Sequence, residues 1–405
     1  MCPSYHISSK KATHAAWSCV LRHSLHAGLR LEKSIRFGYN KKDHGSGGNN
    51  NQTTGRIGKG KTMKEIRLGT IGSGVIVRTI LDQVQKTDGI SLCAVYSRNQ
   101  KTGKALADAY GCGRVYTDLD AMLADKDVNT VYIATPNLLH FAQAEQALLA
   151  GKHVILEKPF VTTLSQAKAL AALAKKRHLL LVEAVPTPYL PNYAVLKRLL
   201  PQIGTVKLVL SNYSQYSARY RKLLQGELPN IFNPLFGGGC LMDLNFYNVY
   251  LNIALFGNPS AARYEPVMYP GAADTNGVML LRYDGFLSVN AAAKDASGTS
   301  FFQIEGEKGQ LCVENGANGL ERIRLVLNGE TQTYNEQPRP NRWWYEVQAL
   351  TDLFLREDDD SACRHLAVTL DTVAVMEAAR KQAGIFFPGD EKPAQHAATQ
   401  TANGR

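Results

Sequence analysis

The sequence predicts an α/β protein in two parts: a doubly wound parallel sheet, then an α/β domain with an open, mainly antiparallel sheet. Three observations predict it. Between residues 63 and 183, continuously apolar runs alternate with amphipathic stretches, the pattern of parallel strands covered by helices on both faces. The run "GTIGSG" at 69–74 places two glycines between the first strand-like run and the first helix-like one. Beyond residue 184, alternating stretches turn at Asp284-Gly285 and Asn328-Gly329, dipeptides favoured in tight hairpins.

Taken in order, "EIRLGTI" reads as a strand and residues 75–85 as a helix, apolar at 76, 77, 80, 81 and 84. There follow "SLCAVYS", a helix through "KALADAY", "NTVYIAT", a helix over 140–150, "HVILE", a helix over 165–177 and "LLLVE". A helix through "CLMDLNFYNVYLNIALF", stopped by Gly257, precedes the hairpin-bearing stretches "NGVMLLRYDGFLSVNAAAKD" and "IRLVLNGETQTY". Two helices, near 342–356 and 364–383, close the pattern. The expected organisation is a basic, disordered leader over 1–62, a Rossmann domain over 63–183, a substrate and oligomerisation domain over 184–388, and a flexible tail over 389–405.

The formal net charge of +11 suggests a nucleic-acid binder until its location is considered. Residues 1–62 carry eleven Lys and Arg against two acids, Glu32 and Asp43, so the rest of the chain is nearly neutral. A basic recognition surface on the folded part is therefore not expected, and no nucleic-acid partner is. The leader is acid-poor but shows no amphipathic helix or secretory apolar core, and the folded pattern begins at Met63-Lys64-Glu65-Ile66, so the leader reads as an upstream extension. No run approaches the length of a membrane span. Seven cysteines without CxxC spacing indicate reduced thiols, no metal site and a cytoplasmic protein.

Candidate chemistry gathers at the strand ends, where ligands of doubly wound sheets bind. Gly72 and Gly74, with Val75 and Ile76 opening the helix, make a turn whose free N–H groups and helix dipole favour phosphate. Val77 stands where the dinucleotide fingerprint has its third small residue, which leaves a plain strand-to-helix turn as the competing reading. The second strand ends in Ser97-Arg98 with no acid to bind ribose hydroxyls; a guanidinium beside a hydroxyl suits the 2′-phosphate of NADP, and an ordinary exposed arginine is the alternative. Glu157 and Lys158 end the strand "HVILE", and Pro159 turns Lys158 away from helical geometry and permits a cis bond. Partly desolvated near a cationic nicotinamide, that lysine is expected to have its pKa lowered towards neutrality, ready to exchange a proton with an alcohol. A solvated loop lysine is the alternative.

The segments "GTIGSGVIV", "YIATPNLLH", "AGKHVILEKP" and "GGGCLMDLNFY", in this order and at these separations, resemble the Gfo/Idh/MocA family of nicotinamide-dependent oxidoreductases over roughly 64–388. "QYSARY" and "FNPLFGGG" resemble its dihydrodiol dehydrogenase-like branch. The resemblance implies that Lys158 is catalytic and that Asp243 and Tyr247 form its Asp-x-x-x-Tyr pair. It also implies that Thr135, Pro136, Asn137 and His140 border the nicotinamide ribose. Spacing adds that residues four apart share a helix face, so Asp243 and Tyr247 project together; a packed tyrosine with a capped aspartate is the alternative. Asn245 stands where the family has glycine, and Tyr247 where histidine is commoner.

The function expected is reversible hydride transfer between NADP, or NAD, and a secondary alcohol or ketone of a sugar, polyol or dihydrodiol, with Lys158 as proton relay. Tyr216, Arg219 and Tyr220 form a polar, aromatic cluster for a substrate pocket or, equally, a subunit interface. The resemblance implies a homo-oligomer through the open sheet. The competing function is a non-catalytic dinucleotide-sensing regulator on the same fold, which would have no need of Lys158, Asp243 and Tyr247.

Overall fold

Parallel pairing joins β1 (Ile66–Ile71), β2 (Ile90–Tyr96), β3 (Val115–Tyr116), β4 (Thr130–Ile133), β5 (His153–Glu157) and β6 (Leu181–Ala184) in the order β3-β2-β1-β4-β5-β6. The computed structural model describes residues 63–390; the expected leader over 1–62 and the tail beyond 390 lie outside the described residues. Strands β4 and β6 are buried at every position because helices cover both faces, which is why they read as unbroken apolar runs. Helix Val75–Val84 buries Val77, Ile80, Leu81 and Val84 against the sheet; Val77, fully buried, occupies the third fingerprint position as a core residue. Strand order reverses between β2 and β4 on either side of β1, opening a crevice at their carboxyl ends. Two elements escaped the sequence reading, β3 and helix Leu119–Ala124, each too short to show a period.

The second sheet contains β7 (Val206–Ser214), β8 (Ala261–Met268), β9 (Asp274–Tyr283), β10 (Phe286–Ala293), β11 (Phe301–Gly306), β12 (Gly309–Glu314), β13 (Arg322–Leu327) and β14 (Glu330–Tyr334). Their order is β14-β13-β12-β11-β7-β10-β9-β8, antiparallel except for β7 beside β10. Both hairpin signals hold: Tyr283 pairs with Phe286 and Leu327 with Glu330, and Asn328 and Gly329 both take positive φ, 51° and 83°. Along β9, Met279, Leu281 and Tyr283 point into the core shared with helix Phe246–Phe256, while Val278 and Leu280 stay about one third exposed on the other face.

The last two helices return to the first sheet. Val347, Leu350, Leu353 and Phe354 of helix Arg342–Leu355 pack in one cluster with Ile66, Leu81 and Ile155. Helix Asp359–Gln382 gives Val373 to the parallel-sheet core and Met376 and Ala379 to the other. Packing also runs past 388, where the sequence places the start of a tail: Asp390 forms a buried ion pair with Arg380. Among the described residues no helix is long and apolar enough to cross a membrane.

Candidate active site

The glycine turn after β1 makes two different demands on its glycines. Gly72 takes φ +120°, and a Cβ there would stand 2.5 Å from the Ala134 carbonyl oxygen, so only glycine lets β1 and β4 approach this closely. At Gly74 a Cβ would meet nothing within 4 Å. Gly74 caps helix Val75–Val84 without any side-chain hydrogen bond, so the first helical N–H groups face open space, and Val75 beside them is 72% exposed. A bare helix N-terminus with room above it fits the pyrophosphate of a dinucleotide. Ile76 instead packs towards the core.

Other residues expected on the cofactor side divide between open and committed. Arg98 is exposed. Ser97 is not available as expected: it is buried, and its hydroxyl is bonded to that of Thr102 at 2.9 Å and accepts from the Asn99 N–H, bracing the start of helix Gln100–Ala109. Pro136 leads into a 3-10 turn, Asn137–Leu139. Thr135 donates to Gln143 at 2.6 Å, and Asn137 donates its amide to the Gly237 carbonyl at 2.7 Å.

His140 and Glu157 differ most from expectation, because both side chains are sealed inside. The His140 ring is fully buried with Nε2 2.9 Å from the Thr135 carbonyl and Nδ1 3.1 Å from that of Pro159, clamping the loop after β4 to the loop after β5. Burial pulls its pKa down against those carbonyls. Glu157 accepts from the Tyr132 hydroxyl at 2.6 Å and from the Lys158 N–H at 3.2 Å, and burial raises its pKa.

Lys158, Asp243 and Tyr247 do come together. The Lys158-Pro159 bond is cis, and Lys158 Nζ donates to Asp243 Oδ1 at 2.8 Å and to the Asp243 carbonyl at 2.9 Å. It stands 4.8 Å from the centre of the Tyr247 ring, in cation–π contact with the face and not with the phenol oxygen. The side chains of Lys158 and Asp243 are 14% and 27% exposed, so the pair borders an opening. Asp243 lies in a π-helical turn, Leu241–Asn245, ahead of helix Phe246–Phe256, so the simple four-residue α spacing does not describe its relation to Tyr247.

The electrostatics overturn the expected lysine. Burial does draw the Lys158 pKa down, but the charge of Asp243, with its hydrogen bond and Tyr247, outweighs it and holds the ammonium above its ordinary value. Conversely, burial would raise Asp243, yet Lys158 and Lys294 together hold its carboxyl well below the usual range. Burial pushes the Tyr247 phenol up to about 12, against Lys158 and Arg342. The site therefore rests as an ammonium–carboxylate pair over a neutral phenol.

Sequence reasoning missed Lys294, the residue just after β10, whose buried Nζ donates to Asp243 Oδ2. The signal was present in "NAAAKD", where a lone cation ends an apolar strand. Also missed was a buried amide network. Asn245 donates to the Asn290 carbonyl at 3.0 Å, Asn248 to the Ala291 carbonyl at 3.1 Å, and Asn252 to the Asn290 side chain at 2.8 Å. It fixes the π turn and its helix against β10. Of the expected pocket cluster, Tyr216 and Tyr220 meet edge to face at 5.8 Å, and Tyr220 continues to Phe232, the ring beneath Lys294. Arg219 departs from them, lining a surface cleft with Lys222 and Glu227.

Comparisons with known proteins agree with this architecture. Residues 66–184 match the family described as "Oxidoreductase family, NAD-binding Rossmann fold", Gfo/Idh/MocA. Relatives include the scyllo-inositol 2-dehydrogenase (NADP(+)) IolU of Bacillus subtilis, 32% identical over 80% of this chain and 99% of its own. They also include the trans-1,2-dihydrobenzene-1,2-diol dehydrogenase of Oryctolagus cuniculus, 24% identical over 77% and 96%. Among solved structures, KijD10, a 3-ketoreductase from Actinomadura kijaniata in complex with NADP and TDP-benzene, superposes with TM-score 0.68 at 22% identity, covering 78% of this chain and 98% of that one. The glycine turn, the reversed strand order and the extent of these likenesses lead to one conclusion: the chain belongs to the Gfo/Idh/MocA family and is an oxidoreductase with an NAD-binding Rossmann fold.

Proposed function

We propose that the chain is an NADP(H)-preferring dehydrogenase or reductase acting on a secondary alcohol or ketone of a sugar, polyol or dihydrodiol, with Lys158 as its proton carrier. The observation that carries the reading is the Lys158–Asp243 pair, a charged hydrogen-bonded couple at the carboxyl end of β5, bordering the same opening as the glycine turn. Gly72, Gly74 and the N–H groups of Val75 and Ile76 hold the pyrophosphate, and exposed Arg98 takes the 2′-phosphate. When bound, the nicotinamide supplies or accepts the hydride.

Lys158 rests as an ammonium because Asp243 holds it so. In reduction it donates a proton from Nζ to the carbonyl oxygen as that oxygen gains charge; in oxidation it takes the proton of the hydroxyl. Tyr247 supports the ammonium with its ring face. Tyr216 and Tyr220 supply aromatic wall on the substrate side, and the relatives named above, one acting on an inositol and one on a dihydrodiol, support this substrate class. The exposed apolar residues Val278, Leu280 and Leu287 on the open face of the second sheet support pairing of two copies there.

The test is a panel of polyols, sugars and dihydrodiols followed by nicotinamide absorbance, with Lys158→Met beside the wild type. The variant is expected to lose roughly 10²–10⁴ in kcat, the range of a positioned acid or base, with dinucleotide affinity by fluorescence unchanged. Full activity in Lys158→Met refutes the assignment. A wild type that binds NADPH and turns over nothing leaves the sensor reading in its place.

A further inference from the structure

Asp243 is a shared residue. One carboxylate oxygen accepts from Lys158 at 2.8 Å, and the other accepts from Lys294. The two lysines come from different layers, Lys158 from the loop after β5 and Lys294 from the end of β10. Their exposure differs: the Lys294 side chain is 4% exposed and sits over the Phe232 ring at 5.8 Å, whereas Lys158 reaches the opening. Two ammonium groups on one carboxylate leave the cluster with a surplus positive charge, and a like charge close by disfavours the charged form of each lysine.

We propose that Lys294 is a positioning residue of the active site: by occupying Oδ2 of Asp243 it fixes the orientation of the carboxylate and takes a share of its charge, so that Lys158 yields its proton more readily than a lysine with a carboxylate to itself. The inference rests on the assignment of Lys158 as proton carrier. It also explains why a cation is buried so deeply behind a site that already has one. A carboxylate serving Lys158 alone would grip the proton tightly and be free to rotate; one pinned from behind presents a single oxygen forward.

The charges around the pair are all internal to the fold. Facing Lys158 are Asp243, Tyr247 and Glu157, with Glu183 of β6, Tyr213 of β7 and the His140 ring beyond them. Facing Lys294 are Asp243, Asp274 of β9 and Cys240. Substituting Lys294 leaves every one of these groups in place.

Competitive acetylation with acetic anhydride at fixed pH, read residue by residue by mass spectrometry, follows the deprotonated fraction of Lys158 without requiring turnover. Lys294→Gln is expected to slow acetylation of Lys158 roughly tenfold relative to exposed lysines, while Lys294→Arg, which keeps the charge, stays within about twofold of wild type. In turnover, the pH midpoint set by Lys158 moves upward in Lys294→Gln and returns in Lys294→Arg. An unchanged acetylation rate in Lys294→Gln overturns the proposal. If that variant does not fold, Lys158→Met gives the reciprocal measurement, because coupling between two sites acts equally in both directions. Acetylation of Lys294 must then slow by a similar factor, and an unchanged rate again overturns the proposal. A wild type inactive on every substrate would defeat the functional reading but leave the acetylation result standing, so the two failures are distinct.

Discussion

The two ends of strand β5 each carry a buried lysine, and they are opposite in character. Lys152, just before the strand, donates to the carbonyls of Asp125 and Val128 at 2.7 and 2.6 Å, and burial lowers its pKa. Lys158, just after the strand, is subject to the same pull, but Asp243 reverses it. Burial is common to both, so it cannot decide the outcome. The partner decides: a neutral carbonyl satisfies the ammonium's hydrogen bonds without neutralising its charge, whereas a carboxylate does both. The contrast extends along the sheet. At the amino-terminal end, Arg67 donates to the carbonyl of Asp127, and Arg114 pairs with Asp125 and Asp127. At the carboxyl end, Arg98 is exposed and the helix N–H groups after Gly74 face open space.

Exchanging the partner at the carboxyl end is the severest way to break this contrast. Asp243→Asn turns the partner of Lys158 into a neutral amide, as at Lys152. The pH midpoint of kcat/KM is expected to fall by at least about one unit, opposite in direction to Lys294→Gln, and kcat to drop by roughly 10–10² from lost positioning. A pH–rate profile checks it, and a midpoint that does not move assigns the proton to another group.

A smaller effect is expected at Arg98. Arg98→Asp removes the cation and installs a ribose-binding carboxylate, so the ratio of kcat/KM for NADPH over NADH is expected to fall by more than about tenfold, the equivalent of one charge-assisted hydrogen bond. An unchanged ratio places the 2′-phosphate elsewhere. Least of all should turnover respond to Lys152→Met. There kcat is expected to stay within about threefold, while stability in urea falls by about 1–3 kcal/mol as two buried carbonyls lose their donor. A large loss of turnover with stability intact would show that the amino-terminal end is not merely structural.

How far the sequence foretold this follows from what local pattern can encode. Covered strands must be apolar throughout and Asn328-Gly329 must turn, so both sheets were legible. So were Gly72, Gly74 and Lys158, because each is tied to a strand end by adjacent residues. The direction of the Lys158 shift was not, since Asp243 is 85 residues distant and its reach depends on a π turn. Nor was the enclosure of His140 and Glu157, whose partners come from neighbouring strands and loops, nor the role of Asn245, which reads as a departure from glycine until Asn290 lies opposite it. Chemistry carried by one segment was visible; chemistry assembled from several was not.

The His140 clamp has a consequence for tolerance to error. Because its ring ties the loop of Thr135 to that of Pro159, the segment proposed to border the nicotinamide and the segment bearing the proton carrier form one block. A strain that displaces the block moves both by the same vector and leaves their separation unchanged, as common-mode noise leaves a differential signal untouched. Asp243 arrives from the other sheet and has no such protection. Distant substitutions that shift one layer against the other would therefore detune the acidity of Lys158 before they disturb the distance between hydride and proton.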